Sequence, residues 1–302
     1  MRTCLAALFA LGAAAVSACG GASGGPVQTG LTPSPEPTHP PAAQPAARPD
    51  LTALRLYDSA SVHSVLAVSP LFWTLLSDDE MWTAGPCIFD SGSVEISLDG
   101  TSMTNPGTLL PTGSHRLGAD FANCLVDGLG GVVLHGTAAT AYTTDDRSDL
   151  TALVSVSSLR GTGAAYQSDL YDVTADGSGT WRRMRTDITW AETYRPTAGS
   201  TLVNNSTAQV ATFEDGSYSF FWDASLPDAA GALDQDFDDL RVSIIGTSYT
   251  LKGHLQIVYD RSSKRSYAGE VRITNDGALV ARIYGDAGGA LRTETLIPLA
   301  PY

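Results

Sequence analysis

The sequence predicts a mainly β protein whose antiparallel meanders form a large curved sheet, a sandwich or a barrel, with a short helical segment near the N-terminus. Long stretches that alternate apolar and polar residues favour strands. Regular turn signals rich in Gly, Asn and Asp favour hairpins between those strands. About 250 residues follow a proline-rich leader, which is enough for one large β-rich domain over residues 51–302.

The helical segment is predicted between Ser59 and Ser77, where apolar residues recur at helical spacing. Pro70 interrupts this pattern, and Ser69 before it is a residue type that caps helices. We therefore predict a helix that is kinked or restarts at Pro70. His63 is expected to be a partly exposed residue of this helix.

The C-terminal part carries the clearest strand pattern. In SYTLKGHLQIVYD, residues 248–260, apolar residues and Gly253 occupy every second position, which is the period of a half-buried strand. SYAGEVRIT, ALVARIY and ALRTETL alternate in the same way and are separated by the turn signals NDG and GDAGG. These stretches predict a four-stranded antiparallel meander. Further turn signals at Ala175–Gly179 and Glu214–Ser217 place additional turns upstream.

An internal repeat is suggested by two pairs of matching stretches. The pattern Leu134-x-Gly136-x-Ala138-x-Thr140-x-Tyr142 recurs as Leu251-x-Gly253-x-Leu255-x-Ile257-x-Tyr259, and Asp120–Cys124 resembles Asp236–Leu240. Two related halves, about 87–170 and 171–302, would explain both matches. The alternative is chance similarity between amphipathic strands.

The N-terminus has the features of an export signal. Arg2 supplies a positive charge, and Cys4–Val16 is apolar but too short to serve as a stable membrane anchor. The next residues, Val16-Ser17-Ala18-Cys19, resemble the lipobox of bacterial lipoproteins. The resemblance implies a signal peptide over residues 1–18 and a mature chain that begins with lipid-modified Cys19. Gly20 in place of Asp implies the outer membrane, on either its periplasmic or its surface face.

Residues 19–50 are rich in Pro, Gly and Ala, and they are expected to form an extended tether between the lipid and the domain. The domain itself, with DFANC followed by LHGTA, resembles β-rich bacterial lipoproteins of no established function. That resemblance supports the fold class and implies no activity.

Cys87 and Cys124 are the two cysteines of the domain. An exported chain matures where disulfides persist, so we predict that they form a disulfide. A catalytic thiol is the alternative, but neither cysteine lies in a CxxC motif or beside a histidine.

The formal net charge of −14 argues against binding to nucleic acid and to anionic lipid head groups. The five histidines have no metal-ligand spacing, and no cofactor or metal is predicted. The acidic run Asp234–Asp239 begins like a calcium loop but lacks the glycine and the bidentate glutamate of an EF-hand. We expect water to solvate these carboxylates.

Arginine and tryptophan are concentrated in TWRRMRTDITW, residues 180–190. Considered as one strand, it directs Arg183 and Arg185 to one face, beside Trp181, and Met184 and Trp190 to the other. An exposed face of this composition is suited to an anionic ligand or a protein partner. The alternative is that the arginines pair with Asp and Glu of neighbouring strands.

The sequence therefore predicts a lipid-anchored protein of the bacterial envelope that acts as a binding or structural module rather than an enzyme. Its predicted partners are the membrane, through the lipid, and an envelope protein or anionic ligand. One alternative is a carrier that holds a lipid or other apolar ligand against a curved sheet. Another is a hydrolase whose residues come together from distant segments.

Overall fold

The computed structural model describes residues 50–69, 87, 92–102, 111–126, 132–145, 148–163, 168–186, 189–223, 231–260 and 264–302. These residues form one helix of regular length, α1 (Leu51–Ala67), and fourteen strands. The strands are β1 (Ser93–Leu98), β2 (Thr101–Ser102), β3 (Gly113–Val126), β4 (Val132–Thr144), β5 (Asp149–Thr162), β6 (Asp172–Arg185), β7 (Thr189–Pro196), β8 (Thr201–Asn204), β9 (Gln209–Asp223), β10 (Gly231–Ile244), β11 (Thr247–Tyr259), β12 (Arg265–Asn275), β13 (Ala278–Gly285) and β14 (Leu291–Thr295).

All fourteen strands belong to one antiparallel sheet, which confirms the predicted fold class. From β3 to β14 the chain forms a meander in which each strand lies beside the next, except that β7 and β8 share the position between β6 and β9. β7 pairs with the C-terminal part of β6, and β8 pairs with its N-terminal part. The middle strand of the sheet is therefore interrupted between residues 197 and 200.

Helix α1 begins at Leu51, eight residues earlier than predicted, because Asp50 caps it. The Asp50 carboxylate accepts hydrogen bonds from the backbone N–H groups of Thr52 and Ala53. The predicted restart at Pro70 lies outside the described residues. In the described part of the chain, no helix has the length and apolar character needed to cross a membrane.

The sheet packs around α1. Thirteen of its 17 residues are buried, and the helix contacts β4, β5, β6, β7, β9, β13 and β14. A helix on the surface of a sheet would bury only one side, so α1 is part of the interior. The prediction that His63 is partly exposed is wrong, since its exposed fraction is 0%.

The predicted C-terminal meander is confirmed as β11 to β14. The turns predicted at Ala175–Gly179 and Glu214–Ser217 are wrong, because both stretches lie within strands β6 and β9. Gly216 has φ +90°, and a Cβ there would lie 2.3 Å from the carbonyl oxygen of Asp239 on the neighbouring strand. The glycine is thus required for close approach of two strands and does not mark a turn.

The hairpins β3–β4 and β10–β11 share one register, including one bulge. Phe121 pairs with Gly136, and the register then shifts so that Cys124 pairs with Leu134. In the second hairpin, Phe237 pairs with Gly253 and Leu240 with Leu251, after the same shift. Two related halves would produce this common geometry, and the duplication itself stays a prediction.

Cys87 and Cys124 are joined in the structure, with an S–S distance of 2.12 Å, as the sequence predicted. The bond links the described residue Cys87 to β3. The lipobox, Cys19 and the tether lie outside the described residues, apart from Asp50 at the end of the tether.

Candidate functional site

The face of the sheet that contacts α1, here called the inner face, carries three neighbouring rows of side chains across β6, β7, β9, β10, β11 and β12. The pairing register defines each row. The first row, called the helix row, consists of Trp181, Tyr194, Tyr218, Phe237, Gly253 and Val271. The middle row consists of Arg183, Glu192, Phe220, Gln235, Leu255 and Gly269. The terminal row consists of Arg185, Trp190, Trp222, Leu233, Ile257 and Tyr267.

His63 of α1 is hydrogen-bonded to the helix row. One ring nitrogen, Nε2, lies 3.2 Å from the carbonyl oxygen of Asp176, which only accepts, so Nε2 carries the proton. Nδ1 therefore accepts from the Tyr194 hydroxyl at 2.7 Å. Burial lowers the pKa of His63 to about 4, so the ring is neutral at pH 7. This arrangement satisfies both nitrogens and has the character of a structural contact.

A second polar contact joins α1 to the sheet through Gln235. The Tyr57 hydroxyl donates to Gln235 Oε1, and Gln235 Nε2 donates to the Tyr218 hydroxyl at 2.7 Å. Tyr57 also packs against Phe237, with ring centroids 5.0 Å apart. The polar groups between the helix and this part of the sheet are therefore paired.

Glu192 lies on β7 beneath two tryptophans. The Trp181 indole N–H donates to Glu192 Oε2 at 2.9 Å, and the Trp190 indole N–H donates to Glu192 Oε1 at 2.7 Å. Only 5% of Glu192 is exposed. Burial raises the pKa of this carboxyl, while the charge of Arg183 and the two indoles oppose that rise.

Arg183 lies directly opposite Glu192 on β6, and only 3% of it is exposed. Its guanidinium lies 4.1 Å from the centre of the Trp190 ring, within the range of a cation–π contact. Its Nε has no hydrogen-bond partner among the residues that the structure describes. Burial lowers the pKa of Arg183 to about 10; the charge of Glu192 opposes this shift, and the charge of Arg185 adds to it. The guanidinium is thus a buried cation with an unused donor.

We call Trp181, Arg183, Trp190 and Glu192 the Trp–Arg cluster. The prediction that Trp181, Arg183 and Arg185 lie on one face is confirmed. The prediction that this face is exposed is wrong for Trp181 and Arg183, which are buried. The exposed face of β6 instead carries Arg182, which pairs with Asp149 at 2.7 Å, and Met184.

Residues 180–190 do not form the single strand that the prediction assumed. β6 ends at Arg185 and β7 begins at Thr189, so the alternation of faces restarts between them. Trp190 therefore lies on the inner face, with Arg183. Sequence reasoning also missed Glu192, a charged residue that alternates with Trp190 and Tyr194, both buried. The only sequence feature that indicates Glu192 is its position as a single acidic residue between two aromatic residues, each two positions away.

The terminal row belongs to an aromatic cluster separate from the main core. Trp190, Trp222, Ile257 and Tyr259 form this cluster, and Phe220, Leu233 and Tyr267 pack against it. Trp222 lies against Gly231, where a Cβ would approach the indole to 2.3 Å. The guanidinium of Arg265 lies 5.8 Å from the centre of the Tyr259 ring. Buried aromatic side chains and arginine thus occur together at this end of the sheet.

The outer face is polar and its acids are largely paired. In the acidic run, Asp236 contacts His254 at 2.9 Å and Asp239 pairs with Lys252 at 3.0 Å, so neighbouring side chains contact these carboxylates. A groove of about 540 Å³ on this face is lined by residues that include Asp215 and Arg241, themselves an ion pair at 3.2 Å. In the described ranges, no group of His, Cys, Asp and Glu is arranged to hold a metal ion.

A Ser–His–Asp arrangement is not found within the described residues. His115 pairs with Asp99 at 2.7 Å, but its Nε2 lies 3.1 Å from the carbonyl oxygen of Thr112 and not from a serine. His254 contacts Asp234 and Asp236. Comparison of the chain with family models, with curated proteins and with solved structures found no match.

Proposed function

We propose that this protein is a binding module, tethered to the bacterial outer membrane by lipid on Cys19, and that the Trp–Arg cluster is its site for an anionic ligand. The export signal and lipobox in the sequence support the location. One structural observation supports the site: Arg183 is buried, yet its Nε has no hydrogen-bond partner in the described part of the chain. An anionic group is the ligand that such a cation binds best.

The surroundings of Arg183 suit recognition of an anion. Glu192 lies opposite and accepts from two indole N–H groups, while the Nε of Arg183 has no partner among the described residues and can donate to a ligand. The guanidinium of Arg183 also lies over the Trp190 ring, 4.1 Å from its centre, which restricts where the cation can move. Arg185 adds a second positive charge on the same face, so two cations face one carboxylate. In a buried site this charge attracts an anion more strongly than it would in water.

The structure offers less support for the two alternatives. A carrier of large apolar ligands needs an open concave face, but α1 occupies the inner face along the helix row. A hydrolase needs a nucleophile beside a base, and His63, His115 and His254 contact a tyrosine, carboxylates and backbone carbonyls instead. We therefore favour binding of an anionic ligand at the Trp–Arg cluster over these two alternatives.

The ligand is identified by native purification from bacterial membranes, followed by mass spectrometry of what co-purifies. We compare the wild type with Arg183→Gln and with Arg182→Gln, whose side chain lies on the opposite face of the same strand. The proposal expects an anionic molecule that the wild type and Arg182→Gln retain and Arg183→Gln loses. Identical co-purifying molecules in all three would refute it. A melting curve of each variant establishes that Arg183→Gln is folded.

The lipid anchor is tested separately by Cys19→Ser. The wild-type protein is expected in the membrane fraction with acyl chains on its N-terminal residue, as intact-mass measurement would show. The substituted protein is expected without acyl chains and outside the membrane. Acyl chains on the Cys19→Ser protein would show that the lipobox was assigned wrongly.

A further inference from the structure

A second concave region lies on the outer face of the sheet, on the side opposite the Trp–Arg cluster. It is the groove of about 540 Å³, a volume typical of small-ligand sites. Strands β7, β9, β10 and β11 line it with Gly216 and with polar or charged side chains, which are Arg195, Asp215, Ser217, Asp238, Asp239, Arg241 and Thr250. A ligand that fits this lining is hydrophilic.

Irregular backbone on two strands shapes the groove. The register between β9 and β10 shifts between Asp238 and Arg241, and again between Arg241 and Val242. Gly216 has φ +90° and Asp239 has φ +48°, so both strands leave the extended conformation at this point. Bulges of this kind redirect side chains and are common beside binding sites. The groove is therefore part of the sheet itself and not of a loop.

The groove contains one buried hydroxyl. Ser217 is only 6% exposed, and it lines the groove. Its side chain makes no hydrogen bond with another residue that the structure describes, although buried polar groups normally have partners. A ligand in the groove would supply the missing hydrogen bond.

Opposite charges lie on the two sides of Ser217. On β10, Asp238 pairs with Ser217. On β7, Tyr194 pairs with Tyr218, which places the next residue, Arg195, beside Ser217. With strands about 4.8 Å apart, the backbones of Arg195 and Asp238 lie about 10 Å apart across the groove. The groove thus presents a cation, a hydroxyl and an anion in one row.

The two charges of this row are not used by ion pairs of the described chain. The other charged side chains of the groove form pairs, Asp215 with Arg241 at 3.2 Å and Asp239 with Lys252 at 3.0 Å. The side chains of Arg195 and Asp238 make no hydrogen bond with a described residue. Longer-range electrostatic effects join Arg195 to Asp215 and Asp238 to Lys252.

We infer that this groove binds a short hydrophilic peptide with charged termini, whose carboxylate contacts Arg195 and whose ammonium group contacts Asp238. A simple anion would be repelled by Asp238 and a simple cation by Arg195, so a ligand with both charges complements the row best. An extended dipeptide spans about 7 Å, which fits between backbones about 10 Å apart. Its peptide group then lies at the Ser217 hydroxyl. This second site goes beyond the proposed function, because it uses none of the residues of the Trp–Arg cluster.

The test titrates the purified protein with glycylglycine and follows backbone amide shifts by NMR. N-acetylglycylglycine keeps the carboxylate without the ammonium group, and glycylglycinamide keeps the ammonium group without the carboxylate. Each of these probes is expected to bind about fivefold more weakly than glycylglycine, since each loses one solvent-accessible ion pair. The amides of Gly216 and Ser217 are expected to shift, and added salt should weaken binding.

Three variants assign the two charges. Arg195→Gln and Asp238→Asn should each weaken glycylglycine binding about fivefold. Arg195→Gln should not weaken binding of glycylglycinamide, and Asp238→Asn should not weaken binding of N-acetylglycylglycine. Arg182→Gln is the control, because Arg182 is exposed on the same face and pairs with Asp149 outside the groove. Melting curves establish that the three variants are folded.

Several results would overturn the inference. Equal affinity for the three probes would exclude recognition of opposite charges, and so would unchanged glycylglycine binding in both Arg195→Gln and Asp238→Asn. N-acetylglycylglycine bound as tightly as glycylglycine would reduce the groove to an anion site. Absence of shifts at Gly216 and Ser217 with every probe would exclude the groove. None of these outcomes bears on the proposed anion site, which depends on Arg183.

Discussion

Two buried polar side chains at the contact between α1 and the sheet, His63 and Gln235, are hydrogen-bonded, whereas the guanidinium of Arg183, in the same row as Gln235, lacks a partner for its Nε among the described residues. His63 is bonded at both ring nitrogens, and Gln235 bridges two tyrosine hydroxyls. Arg183 has an opposite charge in Glu192 and a ring to stack on, yet its Nε is unused among the described residues.

This difference separates a structural region from a candidate binding region. A fully paired polar contact fixes the position of the helix on the sheet and leaves no donor for a ligand. An incompletely paired cation costs stability, and proteins retain such groups where they serve recognition or catalysis. The same sheet thus uses buried polar groups for two purposes a few residues apart.

The largest expected effect comes from Arg183→Met. The substitution leaves Glu192 buried without its opposite charge, and breaking a buried pair in this way costs about 3–5 kcal/mol of unfolding free energy. Adding Glu192→Gln removes the orphaned charge and should recover most of the loss. Chemical denaturation of the two single variants and the double variant measures the coupling.

Arg182→Met is the control for this experiment, since Arg182 is exposed on the other face of β6 and pairs with exposed Asp149. Its denaturation midpoint is expected to stay at the wild-type value. If Arg183→Met also left the denaturation midpoint unchanged, Arg183 would not be a buried charge. The contrast between the two regions would then disappear.

The next effect is a pH dependence from His63. Its pKa is about 4 in the folded protein and 6.5 in the unfolded chain, so the unfolded chain binds the proton first as the pH falls. The neutral ring contributes its full stability above pH 6.5. That stability is lost progressively between pH 6.5 and about pH 4, by about 3 kcal/mol at most.

His63→Gln isolates this contribution, because glutamine does not titrate while all other groups remain. The wild type should lose more unfolding free energy than the variant between pH 7 and pH 4, as urea titrations at each pH would show. Parallel curves for the two proteins would mean that His63 is not buried in a neutral form.

The sequence was sufficient for the parts of the fold that depend on local pattern. Alternation predicted β11 to β14, because residues on one face, such as Leu251, Val271 and Ile283, are buried in the same core. Turn residues were misleading in Ala175–Gly179 and Glu214–Ser217, because glycine permits bulges and close strand contacts as well as turns. The start of α1 was missed, although Asp50 is a residue type that caps helices.

The site was predicted only in part, because its environment is created by distant strands. Alternation predicted that Trp181, Arg183 and Arg185 lie on one face. No feature of the sequence showed that α1 is buried against that face of the sheet. From the pattern alone, an arginine-rich face is predicted to be exposed. Glu192, the acidic residue of the cluster, lies opposite Arg183 because β7 pairs with β6 in a register that the pattern did not reveal.

The smallest expected effect tests whether the polar side chains between α1 and the sheet are hydrogen-bonded as described. Tyr57→Phe removes the hydroxyl that donates to Gln235 Oε1 and keeps the ring packed on Phe237, so one buried acceptor loses its partner at a cost of about 1–3 kcal/mol. Tyr171→Phe, at an exposed position, is the control and should leave the denaturation midpoint unchanged. Binding at the Trp–Arg cluster should persist in Tyr57→Phe, because the hydroxyl belongs to the structural region. Loss of ligand with unchanged stability would instead place Tyr57 in the binding site and remove the division between the two regions.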